Sequence, residues 1–148
     1  MIIYADTSAL VKLFITENHS KATRNILQSA HALGTGLLTL AELGAAFARG
    51  AKGGLLSESE AQEARQRLHV VWPTWIHITM SHDLALRAES LAWDHILRGY
   101  DAVHLAAAQL WQEELDYPVT LATFDQKLWE AAPTAGLDVW PAREPAER

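Results

Sequence analysis

Cysteine is absent from the 148 residues, which excludes a disulfide scaffold and any thiolate metal site. Positive charge is scarce as well. Lys and Arg number 12 against 18 Asp and Glu, a formal net charge of −6. No broad basic face for non-specific duplex binding can be built from that balance, although a few local cations could still hold an anionic substrate. No uninterrupted apolar run approaches the roughly 20 residues of a membrane span. The opening Met1-Ile2-Ile3-Tyr4-Ala5-Asp6 lacks the basic segment and the apolar core of a secretion signal. A soluble, cytoplasmic protein with no membrane association is expected. The seven histidines, His19, His31, His69, His77, His82, His95 and His104, form no HxxxH or HExxH pair, so zinc chemistry has no motif to stand on.

What is present suits a folded domain. The hydrophobic fraction is 49% and the charged fraction 20%. At this length one domain buries about 70% of its unfolded surface. Short apolar runs alternate with amphipathic stretches. Ile2–Ala5, Leu37–Leu38, Trp75–Ile78, Pro118–Ala122 and Leu137–Trp140 read as strands. Between them lie predicted helices over Ala9–Phe14, from Asn18 or Ser20 to about Ala30, through Leu40–Phe47, from the Ser57/Glu60 capping box to about Val70, from Ser81 to a stop at Gly99, from Asp101 to Leu110, and over Gln126–Ala131. Strands alternating with helices predict parallel pairing with right-handed crossovers. The expected fold is α/β, a three-layer α/β/α domain with a central parallel sheet of about five strands. It occupies residues 1–140, and 141–148 is expected to be a disordered tail.

Four carboxylates stand where strand-like runs give way to loops or helix starts: Asp6, Glu42, Asp101 and Asp125. Asp6, Asp101 and Asp125 each have an ordinary explanation as helix caps. Glu42, set between Leu40-Ala41 and Leu43-Gly44-Ala45-Ala46-Phe47, is less natural as a solvated surface acid. An open parallel sheet binds ligands outside the carboxyl ends of its strands. Several acids gathered there repel one another unless a hard divalent cation sits among them.

The words around these acids are more specific. Asp6-Thr7-Ser8-Ala9-Leu10-Val11-Lys12, Leu40-Ala41-Glu42, Tyr100-Asp101-Ala102-Val103-His104-Leu105-Ala106 and Thr123-Phe124-Asp125-Gln126-Lys127-Leu128, in this order, resemble the PIN-domain nucleases. Within them the pattern is most similar to the VapC-type toxins of type II toxin–antitoxin systems, from Met1 to about Trp140. The resemblance implies a Mg²⁺- or Mn²⁺-dependent endoribonuclease with Asp6, Glu42, Asp101 and Asp125 around the metal. It also implies a cognate antitoxin that obstructs the site, and a homodimer.

Phosphodiester hydrolysis needs a nucleophilic water, a neutralised phosphate and a stabilised leaving oxygen, all of which one or two divalent ions can supply. Asp6 and Asp101 are the expected direct ligands. Glu42 and Asp125 then bind through water, orient the attacking water or hold a second ion. Metal-activated water leaves a 5′-phosphate and a 3′-hydroxyl. Thr7, Ser8 and Thr123 are candidate hydrogen-bond partners of the acids, with simple capping as the alternative. His104, one turn after Asp101, faces either an acid, the substrate or a structural partner. Lys12, Arg49, Lys52, Arg98 and Lys127 lie near the acids in sequence, and Lys12 and Arg49 are candidates to hold flanking phosphates. Of the six tryptophans, Trp93 and Trp111 are candidate subunit or partner contacts. The apolar excess in Leu10, Val11, Leu13, Phe14 and Ile15 suggests either a groove for an antitoxin helix or a self-association surface.

Two other readings compete. A non-catalytic RNA-binding or assembly module could use the same fold. A Mg²⁺-dependent phosphatase of the haloacid-dehalogenase type would need a second Asp two residues after the first, where this chain has Ser8.

Overall fold

The computed structural model describes residues 1–145. Among them, five short strands form one sheet: β1 (Ile2–Ala5), β2 (Ala32–Gly36), β3 (Ile76–Ile78), β4 (Val119–Ala122) and β5 (Asp138–Trp140). Their order is β3-β2-β1-β4-β5, and every pairing is parallel. Parallel neighbours need crossovers, and helices supply them. These are α1 (Thr7–Leu10), α2 (Ser20–Gln28), α3 (Leu38–Lys52), α4 (Glu58–Val71), α5 (His82–His95), α6 (Gly99–Leu115) and α7 (Gln126–Thr134).

Side-chain alternation along β1 divides the interior into two cores. Tyr4 points to one, with Leu84 and Ala88 of α5, Leu105 of α6, Leu121 of β4 and Leu128 of α7. Ile3 and Ala5 point to the other, with Leu10, Leu27, Leu43, Phe47 and Leu68 from α1 to α4. Helices therefore cover both faces of the sheet, giving the three-layer α/β/α arrangement expected from the sequence. No helix among the described residues is long and apolar enough to cross a membrane.

Several elements differ from their sequence-based expectation. The second strand is Ala32–Gly36, not Leu37–Leu38, because the glycines that looked like loop punctuation are strand residues under close-packed neighbours. A Cβ on Gly34 would lie 2.6 Å from the Trp111 ring, and one on Gly36 would lie 3.1 Å from the Tyr4 hydroxyl. Leu37 already has helical dihedrals and is the N-cap of α3. Trp111, expected at a partner interface, is only 5% exposed and fills the space that Gly34 leaves.

Gly99 opens α6 instead of closing α5. Helix α5 ends at Ile96, which adopts left-handed dihedrals with φ 54°. Asp101 is not a cap either: Arg98 holds the N-cap position, and Asp101 lies in the first turn. The apolar run after Asp6 forms four helical residues and a 3-10 turn over Val11–Leu13. Leu10, Val11, Phe14 and Ile15 are all buried in the core, while the partly buried Leu13 and the edge of Phe14 line a surface cavity.

The expected tail is anchored at its start. Trp129 Nε1 donates to the Pro141 carbonyl at 2.7 Å, Gln126 Nε2 donates to Glu144 Oε1 at 2.6 Å, and Pro145 is buried. Residues 146–148 lie outside the described residues.

Candidate active site at the switch point of the sheet

From β1 the chain builds outward through β2 and β3, then returns to add β4 and β5 on the opposite side. The strand order therefore reverses beside β1, and a crevice opens beyond the carboxyl ends of β1 and β4. Asp6 follows β1 directly. Its backbone N–H donates to the Ala122 carbonyl at 3.1 Å, and its Oδ1 caps α1 by accepting from Ala9 N at 3.0 Å. Ser8 Oγ lies 2.7 Å from Oδ1 and 3.0 Å from Oδ2, while Thr123 Oγ1 donates to Oδ2 at 2.7 Å. Burial raises the Asp6 pKa and outweighs the opposing field of His104 and these hydrogen bonds.

Glu42 projects from α3. Its Oε2 accepts a hydrogen bond from Thr7 Oγ1 and pairs with His104 Nε2 at 3.0 Å. Behind it, His104 Nδ1 meets the Tyr4 hydroxyl at 2.9 Å. Burial acts to raise the Glu42 pKa, but the hydrogen bond and charge of His104, with Thr7 and Arg49, bring it below the ordinary value. For His104 the balance is reversed. Burial acts to lower its pKa, and the bond to Glu42 with the fields of Asp6, Glu42 and Asp101 raises it. Asp101 is pushed up to about 6, by burial first and then by repulsion from Asp125 and Asp6. Asp125 caps α7 through Oδ1, accepting from Leu128 N at 3.0 Å.

All four acids line one pocket of about 580 Å³, with Thr7, Ser8 and His104 among its walls and Arg49 and Arg98 as its cations. A larger cavity of about 970 Å³ shares no lining residue with it. Chemistry rather than size marks the site, since the acids and their mutual repulsion belong to the smaller pocket.

The donors are all hard oxygens, which suits Mg²⁺ or Mn²⁺. Among the described residues, no three Asp, Glu or His side chains are already disposed to hold one metal ion. Mg²⁺ keeps several waters and needs only one or two carboxylates directly. A hydrated ion reached through water by the remaining acids therefore fits this arrangement, whereas a fully dehydrated, preformed cage does not.

Of the other sequence candidates, Thr123 reaches the pocket through Asp6 and Asp125, accepting from Asp125 N at 3.0 Å. Lys12 is elsewhere. It is 3% exposed, its ammonium is paired with Glu17, it donates to the Asn18 carbonyl at 3.0 Å, and it lies 4.3 Å from the Phe124 ring centroid. That charge is committed inside the fold. The residue missed by sequence reading is Tyr4, which looks like one more apolar strand position. Its parity with Asp6 along β1 was the available signal, since alternate residues share a face. The phosphatase reading loses its second Asp to Ser8, whose hydroxyl serves Asp6 and accepts from Phe124 N at 2.6 Å.

The PIN domain family model matches residues 3–132. Ribonuclease VapC45 of Mycobacterium tuberculosis is 33% identical over 142 residues, covering 96% of each chain. Among solved structures, a toxin–antitoxin complex from Klebsiella pneumoniae superposes with a TM-score of 0.67 at 25% identity, covering 97% of this chain and 99% of that one. The sarcin–ricin-loop-cleaving toxin VapC20 of Mycobacterium tuberculosis shares the fold at TM-score 0.65 and 16% identity, over 87% of this chain and 94% of its own. The chain belongs to the PIN domain family, and within it to the VapC-type group.

Proposed function

We propose that this protein is a Mg²⁺- or Mn²⁺-dependent endoribonuclease and the toxin of a toxin–antitoxin pair. The observation that carries the reading is the meeting of Asp6, Glu42, Asp101 and Asp125 in one pocket at the switch point of the sheet. The ribonuclease names of its relatives and the toxin–antitoxin complexes among its structural neighbours support the same reading. RNA is the substrate and a cognate antitoxin the partner. The protein acts as a homodimer in the cytoplasm.

When bound, a hard divalent ion supplies a nucleophilic water at neutral pH and neutralises charge on the scissile phosphate. Asp6 and Asp101 would hold that ion, and Glu42 and Asp125 would hold its waters or a second ion. Ser8 and Thr123 keep the Asp6 carboxylate in a single orientation through their hydrogen bonds. Arg49 and Arg98, on the pocket wall, would pair with phosphates flanking the scissile one. The product carries a 5′-phosphate and a 3′-hydroxyl, because the 2′-hydroxyl has no role as nucleophile.

Incubation of a single-stranded RNA with Mn²⁺ tests the reading, with end-group analysis of the fragments. Wild type should cleave, and Asp6→Asn and Asp101→Asn should not, while all three remain folded. RNA bound without cleavage by wild type would favour the non-catalytic module. Hydrolysis of a phosphomonoester in place of RNA would favour a phosphatase.

A further inference from the structure

Tyr4, His104 and Glu42 belong to β1, α6 and α3, yet they form one continuous hydrogen-bonded line that ends in the acidic pocket. The Tyr4 hydroxyl lies 2.9 Å from His104 Nδ1, and His104 Nε2 lies 3.0 Å from Glu42 Oε2. Tyr4 is fully buried and His104 is 4% exposed, so water cannot substitute for either partner. The direction of the line follows from its end. A carboxylate only accepts, so His104 Nε2 must donate to Glu42. A neutral imidazole then has a bare Nδ1, which accepts the Tyr4 O–H proton.

Thr7 donates to the same oxygen, so the hydrogen bonds to Glu42 among the described residues fall on Oε2. Oε1 is left for the pocket. A leucine and a phenylalanine would fill the same core volume without the cost of burying two polar groups, so packing alone does not account for a tyrosine–histidine pair.

We propose that His104, oriented by Tyr4, is a positioning residue that holds Glu42 in the one orientation from which Oε1 serves the metal ion or the attacking water. This rests on the metal-dependent reading of the pocket given above. His104 touches neither substrate nor metal in this role, and it acts by fixing a carboxylate that does. Such supporting hydrogen bonds are worth about 10–100-fold in metal affinity or activity.

Three variants of the full chain test it. Tyr4→Phe keeps the ring and removes only the proton donor. His104→Gln retains an amide N–H near the Nε2 position, and His104→Leu retains none. The readouts are the imidazole ¹⁵N–¹H spectrum of His104 in metal-free protein at pH 8.5, the Mn²⁺ dissociation constant, and kcat and KM for RNA cleavage. Wild type should show protonated Nε2 and a hydrogen-bonded, unprotonated Nδ1, and Tyr4→Phe should keep protonated Nε2 but shift the Nδ1 signal to that of a nitrogen without its hydrogen bond. His104→Leu should bind Mn²⁺ at least tenfold more weakly and lose kcat with little change in KM, and His104→Gln should recover most of both. A bare Nε2 with a protonated Nδ1 in wild type overturns the proposal, and so does a folded His104→Leu with wild-type Mn²⁺ affinity and kcat. If His104→Leu fails to fold, an Nδ1 signal in Tyr4→Phe unchanged from wild type overturns it instead. Failure of wild type itself to bind Mn²⁺ would be distinct, because it removes the metal-dependent reading and the positioning role together.

Discussion

The hydroxyl of Thr123 donates to Asp6 Oδ2 at 2.7 Å, joining the residue after β4 to the residue after β1 across 117 positions of sequence. Thr123 is fully buried and Asp6 is 4% exposed. The two strand ends on either side of the switch point are thus tied by a hydrogen bond to a carboxylate. Thr123→Val preserves shape and removes this donor, along with the acceptor for Asp125 N. It should destabilise the metal-free protein by about 1–3 kcal/mol and weaken Mn²⁺ binding. An unchanged urea midpoint would show that the bond contributes nothing net.

Asp101 links pH to stability. Its pKa is raised from 3.8 to about 6, mainly by burial and then by Asp125 and Asp6. The folded state therefore holds the Asp101 proton more tightly than the unfolded chain does. Its contribution is fully present below about 4 and disappears as pH rises through about 6. Asp101→Asn should lose that dependence, so the Tm difference between variant and wild type, both without metal, should grow in favour of the variant from pH 4 to pH 7. Mg²⁺ must displace the same proton, so affinity in wild type should climb with pH and level off above about 6. Parallel Tm–pH curves for the two proteins would contradict this assignment.

Gly34 and Trp111 form a complementary pair. A Cβ at residue 34 would lie 2.6 Å and 2.7 Å from two ring carbons of Trp111. Gly34→Ala should cost about 1–3 kcal/mol through overpacking. In a Trp111→Leu background the same change should cost clearly less, and a double-mutant cycle by chemical denaturation measures the difference. Additive effects would mean that the indole does not set the limit on residue 34.

Ile96 occupies the left-handed position at the end of α5 with φ 54°, although it is β-branched and 78% exposed. Strain there is relieved by glycine at little loss of burial. Ile96→Gly should therefore stabilise the protein by roughly 0.5–1 kcal/mol after the entropy of the unfolded glycine is counted. A lower denaturation midpoint in this variant would place a compensating contact on the Ile96 side chain.

Much of this architecture was legible along the chain. Apolar runs separated by helical periodicity predict the layers and the parallel sheet, and the Ser57/Glu60 box marks the start of α4 as it stands in the fold. Asp6 and Asp125 are helix caps as well as pocket residues, so capping does not keep either acid out of the pocket. Other features needed tertiary information. Gly34 looks like a turn until the Trp111 ring is placed over it, and Leu37-Leu38 looks like a strand until those glycines have claimed β2. Lys12, adjacent in sequence to the acidic word, is turned inward to Glu17 and Phe124 by the 3-10 turn that follows α1. Tyr4 carried no local mark of its hydrogen bond to a residue 100 positions away.

Cleavage by this protein requires, in the proposed mechanism, a divalent ion in the pocket shared by Asp6, Glu42, Asp101 and Asp125. Titration of Mn²⁺ followed by electron paramagnetic resonance measures that occupancy directly, with wild type, Asp6→Asn and Asp101→Asn compared at pH 7.5. Saturable binding to wild type, weakened at least tenfold in both variants and accompanied by a rise in Tm, is the predicted result. Equal, weak binding to all three folded proteins, with melting curves unmoved between EDTA and millimolar Mn²⁺, would contradict it.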